Sequence, residues 1–385
     1  MLTAKRITTP GEFSALQSSW WDIARRKNLP PFLTPGWYSA CVESHSEGKS
    51  LEIVAAYEDD RLVGVAPLWS RAGRHRGVPV RILTFIACPD TPLADFIIDR
   101  PDPEPVVALL HDQLFHPDLP WDMCRFSQWP ADSTNYRLFL SVASSRRTRL
   151  RQKTSSVTPY VELHGDWETF LKGRSPKFRK TYRNIANRIA KVEGVSVEVF
   201  RDDPSALLLK EIATLSSRGW KAEKGVSLSS SPGSLRFFDE LTRTAGREGW
   251  LYLWLLRVHG APAAMEYDLL AGGRAYALRA DYDPKYSDLS PGRYLEARIL
   301  QHLFETGQSE YCTGPGLNPY KRHLTDKSRE NHSLTIYRNS IRGVSVWGLD
   351  TRLIPVLRRA RNTIREMRGT NEANASKKSF GYSVL

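Results

Sequence analysis

Residues 282–307 read YDPKYSDLSPGRYLEARILQHLFETG, and this stretch decides the fold. Ser290 has N-cap chemistry, Pro291 suits a first helical position, and Gly292 lacks the Cβ that would hold a ligand away from the helix start. Leu295, Ile299, Leu300, Leu303 and Phe304 recur at helical spacing and make one apolar face, which Gly307 ends. Just upstream, residues 251–269 (LYLWLLRVHGAPAAMEYDL) read as a hairpin turning at His259-Gly260, with residues 274–280 as a third strand across Gly272-Gly273. A strand, a loop ending in S-P-G-R and a helix can hold a phosphate by backbone N–H groups, with Arg293 adding charge. Ser290, Gly292 and Arg293 are therefore the candidate phosphate-binding residues. Ser-Pro also opens many ordinary helices, so spacing alone leaves both readings in place.

Working outward, the same layout occurs about 200 residues earlier. Residues 51–69 (LEIVAAYEDDRLVGVAPLW) read as two strands joined at Glu58-Asp59-Asp60, and helix-like stretches at 13–25 and 206–217 precede the two hairpins. That pattern predicts a duplicated α/β unit, and 385 residues leave room for two domains of ~100–200 residues each. A hydrophobic content of 41% with 25% charged residues excludes disordered and low-complexity classes. The apolar run at 250–256 falls far short of the ~20 residues a membrane span needs, and residues 1–13 lack the apolar core of a signal peptide, so a cytoplasmic protein is expected. Cys41, Cys88, Cys124 and Cys312 are widely spaced, which argues against a zinc site or a disulfide framework; buried, reduced thiols and no metal are expected.

The net charge of +13 is unevenly placed. Residues 144–153 carry +5, residues 174–191 carry +7 and residues 352–378 carry +6, so the rest of the chain is about −5. An anionic partner is expected. The 144–153 run has neither a helical nor an alternating period and reads as a linker. In the middle segment Phe178, Tyr182, Ile185, Ile189 and Val192 form an apolar helical stripe opposite Lys177, Lys180 and Arg188, with Ser175-Pro176 as cap and first position. Lys177 and Lys180 are candidates for binding an anionic substrate there, against the plainer reading of a solvated face. Residues 350–369 predict a basic helix followed by a disordered tail.

Beyond the phosphate loop come a strand-like 310–313, a turn at Gly314-Pro315-Gly316 and the cluster Asn318 to His323. YDPKYSDLSPGRYL together with PYKRH resembles the acetyltransferase-type domain of the CelD/BcsL proteins linked to bacterial cellulose and exopolysaccharide, relatives of the GNAT acyltransferases and of the FemAB aminoacyl transferases. PFLTPGWYSAC (31–41), GVAPLW (64–69) and SPKFRKTYRN with Trp220 downstream extend the resemblance over most of residues 15–340. It implies an α/β (α+β) fold of two GNAT-like units in tandem, each a mixed central sheet flanked by helices. The division it implies is 1–143, a basic linker at 144–158, a donor-binding unit at 159–345, and a basic helix and tail at 346–385. It also implies an acyl-CoA co-substrate, acetyl-CoA first among them, with its pyrophosphate at 290–293 and an amine as acceptor.

Attack of an amine on a thioester needs a base, oxyanion donors and a proton for the thiolate. Glu266 is the favoured base. Tyr320, or Tyr311, is a candidate acid, and Lys321 and Arg322 are candidates for binding phosphates or an anionic acceptor, with Trp220, Asp281 and Tyr282 as further substrate contacts. Family members often carry an acidic residue where this chain has Cys312, which leaves either an acyl-cysteine or a buried thiol. Three readings follow. The first is an N-acyltransferase acting on a small molecule or a cell-surface saccharide precursor. The second is a FemAB-like enzyme using aminoacyl-tRNA, and the third a non-catalytic member of a polysaccharide-synthesis assembly. The basic segments would serve tRNA or an acyl carrier protein.

Overall fold

A computed structural model describes residues 1–202, 206–219, 223, 225, 227–317 and 321–353. The paired dipeptides read as turns adopt left-handed backbone: Asp59-Asp60 (φ 49° and 63°), His259-Gly260 (50° and 76°) and Gly272-Gly273 (58° and 75°). Positive φ at both central residues gives the turn whose twist matches paired strands, so each forms a tight hairpin. Strand Leu2–Ile7, helices Pro10–Arg26 and Pro35–His45, and the hairpin Ile53–Glu58/Arg61–Ala66 make the first unit. The second repeats that order with strand Val195–Phe200, helices Ala206–Arg218 and Pro232–Arg247, and the hairpin Leu251–Val258/Ala261–Ala271. In both, the leading strand lies antiparallel to the first hairpin strand. In both, a later helix connects two parallel strands: Val78–Phe85 to Met123–Pro130 through Glu104–Leu114, and Arg274–Tyr282 to Glu310–Cys312 through Pro291–Glu305. The chain therefore has a tandem α/β fold of mixed sheets flanked by helices.

Among the described residues, Leu2–Ile7, Ile53–Glu58, Arg61–Ala66 and Ile97–Ile98 form a four-stranded sheet. A continuous eleven-stranded sheet joins the two halves. Its centre differs from the sequence reading. The segment expected to be a linker is instead the end of helix Thr134–Ser145 and the long strand Arg149–Glu162, antiparallel to Glu310–Cys312 on one side and to Ser328–Tyr337 on the other. Residues 151–155 are exposed on both faces, so no burial alternation marks this strand. Strand Ser328–Tyr337 also pairs with Met123–Pro130, so a C-terminal strand sits inside the first half's sheet. Near the C-terminal end, a helix runs Ile341–Gly348 and a further turn Leu349–Leu353; the rest of the expected basic helix and tail lies outside the described residues. No helix among the described residues is long and apolar enough to cross a membrane.

The two parallel pairs end differently. In the first half, pairing runs Ile82–Thr84 against Met123–Arg125, and beyond it Phe85, Phe96, Phe126 and Trp129 fill the space, with ring centroids 4.5 Å (Phe85–Phe126) and 4.9 Å (Phe96–Trp129) apart. In the second half, Arg274–Tyr276 pairs with Glu310–Cys312, and past Tyr276 the strands part around a cleft.

Candidate active site

The cleft has a volume of about 600 Å³ and is walled by Ala277–Tyr282 on one strand, Thr313–Pro315 beyond the other, and Gly292, Arg293 and Glu296 of helix Pro291–Glu305. Its apex is set by Gly314, at φ 77°, where a Cβ would come within 2.9 Å of the Ala277 carbonyl oxygen. At the opposite end Gly292 faces open space, with nothing nearer an added Cβ than Tyr282 at 3.8 Å. A side chain there would enter the cleft rather than the protein. Ser290 is not the side-chain cap its sequence suggests: it sits in left-handed backbone (φ 54°), and its Oγ accepts from Arg188 at 3.4 Å. The S-P-G-R loop thus links the basic helix Pro176–Ile189 to the mouth of the cleft.

Polar side chains converge on the inner wall. Glu266, on the second strand of the second hairpin (Ala261–Ala271), is 4% exposed, and Tyr311 donates its hydroxyl proton to Glu266 Oε1. Asp268, two residues on and fully buried, has Glu266 and the Trp254 indole as polar neighbours but no well-formed hydrogen bond to either. Burial, then the charge of Glu266, pushes the Asp268 carboxyl well above the usual carboxylate range, so it stays protonated. The same causes raise the Tyr311 phenol. Glu296 lines the cleft itself, and burial followed by repulsion from Glu266 lifts it to about 8, against the opposing pull of Lys321 and Arg293. Lys321, 5% exposed, donates from Nζ to the Gly314 carbonyl at 2.9 Å and so ties the turn at the apex.

Of the expected site residues, Glu266, Asp281, Tyr282, Gly292, Arg293 and Lys321 all line this cleft. Asp281 accepts from Ser216 Oγ at 2.8 Å. Lys177 lines an adjoining cavity, whereas Lys180 and Arg322 are exposed. Tyr320 and Trp220 lie outside the described residues. Cys312 does not line the cleft. Strand alternation turns it away from Tyr311, and its Sγ donates to Glu310 Oε1 at 3.0 Å. Burial and then the Glu310 charge push the thiol up, away from the thiolate form. Glu310 is gripped by Arg329 through two bonds of 2.6 Å. Both face a second cavity, of about 380 Å³ between the two halves, which shares only Ala277, Leu278 and Gly314 with the cleft. Glu296 was missed by sequence reasoning, although its place one helical turn beyond Gly292 puts it on the same face.

Residues 176–322 match the family model described as an acetyltransferase (GNAT) domain. Every residue walling the cleft falls inside that match. The protein is an acyltransferase carrying a GNAT domain. No curated protein matches the sequence. Among solved structures, the chain resembles FemX at 12% identity over 88% of this chain and 98% of that one, with a TM-score of 0.60. It also resembles L-PGS from Bacillus licheniformis at 16% identity, over 88% and 95% of the two chains, with a TM-score of 0.52. At these identities the likeness is one of fold. Among the described residues no group of His, Cys, Asp and Glu could hold a metal ion.

Proposed function

We propose that this protein transfers an acyl group from an acyl-CoA thioester, acetyl-CoA first among the candidates, to a primary amine of a small molecule or saccharide precursor. The observation that carries the reading is the open cleft between the parted parallel strands, walled by Gly292, Arg293 and Glu296 of the helix that follows S-P-G-R and by Glu266 and Tyr311 on the strands. The donor's phosphates would lie at Gly292 and Arg293, with the thioester arm along Ala277–Asp281. Backbone N–H groups of the cleft wall would serve as donors to the developing oxyanion. The amine would enter from the cavity between the halves, which meets the cleft at Gly314. Glu296, raised to about 8, is better matched to accept the ammonium proton than an ordinary carboxylate, with Glu266 and Tyr311 behind it. Glu296 takes the ammonium proton and releases it to solvent, the nitrogen–carbon bond forms, the nitrogen of the tetrahedral adduct loses its second proton to Glu296, and that proton passes to the thiolate as the carbon–sulfur bond breaks. The placing of Cys312 favours direct transfer over an acyl-cysteine.

The likeness in fold to FemX supports a second reading, transfer of an aminoacyl group from tRNA, for which the exposed basic residues of Arg149–Glu162 and Pro176–Ile189 would form the footprint. Thiol release from acetyl-CoA in the presence of a panel of amines supports the first reading. Salt-sensitive tRNA binding without any thioester turnover would replace it with the second.

A further inference from the structure

The strand Ala261–Ala271 carries an acid that the chemistry above leaves idle. Ala264 and Leu270 on that strand belong to the apolar cluster that holds Trp254, Ile299 and Leu303, and alternation puts Glu266 and Asp268 on the same face between them, turned toward helix Pro291–Glu305. Glu266 lines the cleft and accepts the Tyr311 hydroxyl proton. Asp268 is fully buried behind it, and neither of its carboxyl oxygens nor the Trp254 indole N–H reaches a partner at hydrogen-bond geometry. A carboxyl buried in this way lowers stability, and a leucine would fill the same apolar site without that cost. The group therefore serves something other than the fold.

Burial, with the acids Glu266 and Glu296 as neighbours, keeps Asp268 in its neutral form, in which it has one O–H to donate. Glu266 is the acceptor two residues away on the same face. This inference rests on the acyl-transfer reading above, with Glu296 as base. We propose that Asp268 is a positioning residue: it donates its proton to Glu266, holds that carboxylate charged beside the cleft, and so sets the pH at which Glu296 can accept a proton from an amine. A buried carboxylate needs donors to stay ionised, and Glu266 then has two, the Tyr311 hydroxyl from strand Glu310–Cys312 and the Asp268 carboxyl from its own strand. The other charged and titratable groups around this line are Arg293 and Glu296 from helix Pro291–Glu305, Asp281 and the Asp90-paired Arg279 from strand Arg274–Tyr282, and Lys321, with His302 beyond, edge-on to Trp254 at 5.1 Å between centroids. Arg293 and Lys321 pull Glu296 toward ionisation and a charged Glu266 opposes it, so the state of Glu266 decides the balance. At the far end the Trp254 indole can donate to Asp268, which leaves the other carboxyl oxygen to carry the proton toward Glu266.

The test replaces Asp268 by leucine and by valine, which remove the donor, and by asparagine, whose amide can donate to Glu266 and accept from Trp254 as the acid does. Each protein is prepared with isotope-labelled glutamate, and the Glu296 carboxyl, assigned by its loss in Glu296→Gln, is titrated by NMR alongside the pH profile of kcat/KM. Asp268→Leu and Asp268→Val should lower the Glu296 midpoint by about one pH unit, because Glu266 takes up a proton and its repulsion is lost, while Asp268→Asn should hold the midpoint within about 0.3 of a pH unit. The kcat/KM profile should move with the midpoint and leave the donor KM unchanged. A folded apolar variant with the wild-type Glu296 midpoint would overturn the proposal, as would an Asp268→Asn midpoint displaced as far as that of Asp268→Leu. Failure of both apolar variants to fold would assign Asp268 to the fold and overturn it equally. The predicted movement of the midpoint in a protein that turns over no thioester with any amine would uphold the coupling and sink the acyl-transfer reading instead.

Discussion

Glu296 lines the cleft with its carboxyl pushed up to about 8. Its carboxyl titrates near 8 when folded and near 4.5 as an unperturbed group, so between those values the folded protein holds a proton that the unfolded chain has released. Stability contributed at this position is therefore intact below about pH 4.5 and falls as pH rises toward about 8, by an amount of the order of a few kcal/mol. Glu296→Gln removes that dependence, so the variant should gain stability over the wild type at pH 8 and match it near pH 4.5; denaturant titrations at the two values check this. Activity has the opposite sign. As a base Glu296 works only when ionised, so kcat/KM should climb with pH through about 8, and Glu296→Gln should lose roughly 10²–10⁴-fold and flatten the profile. A profile unchanged in the variant would assign the base elsewhere. Tyr311→Phe, which removes the donor to Glu266, should lower kcat without raising the donor KM, because the hydroxyl lies behind the reacting groups rather than at the phosphate end. A rise in KM alone contradicts that placement.

Elements, rather than single residues, decide which half carries the chemistry. The first half has the same parallel strand pair and connecting helix, but Phe85, Phe96, Phe126 and Trp129 occupy the opening, and its helix Glu104–Leu114 begins with an acid and no glycine. Anions are disfavoured at such a start, so the first half lacks the phosphate end as well as the space. Other short motifs carry packing. In the 31–41 stretch, a Cβ on Gly36 would collide with Thr244 Cγ2 and press Trp21 at 3.1 Å, because helices Pro35–His45 and Pro232–Arg247 cross there. Gly36→Val should therefore cost about 1–3 kcal/mol in chemical denaturation while leaving the cleft untouched. A cost within 0.5 kcal/mol would mean that the helix pair yields easily. The hairpins, the basic helix and the helix after S-P-G were legible because turn dipeptides and buried stripes leave periodic marks. The strand Arg149–Glu162 was not, since its exposed centre buries neither face. Nor could Cys312 be placed: its side of the sheet depends on the register with Tyr160 and Tyr276, which lie far away in sequence.

At the scale of the whole molecule, the two halves share the eleven-stranded sheet, and the first half reaches the cleft through a buried ion pair. Asp90, in a loop of the first half, grips Arg279 on the cleft strand at 2.7 Å, with both side chains about one-tenth exposed. Removing one partner strands the other charge, so Asp90→Ala should destabilise the protein by about 3 kcal/mol and loosen the strand that walls the cleft. Equal stability of the variant and the wild type would show that the halves are joined by the sheet alone. The net charge of +13 resolves differently across the molecule: residues 149–153 extend along a sheet strand, while Lys177 and Arg188 of the basic helix stand beside the cleft. The central claim is that this cleft holds an acyl thioester with its phosphates at Gly292. Calorimetric titration of acetyl-CoA into the wild type and Gly292→Trp tests it most directly, since the added side chain meets open space and the variant should keep its circular dichroism and Tm. Saturable binding to the wild type that disappears in the folded variant is the predicted result; equal binding to both, or none to either, would contradict the account.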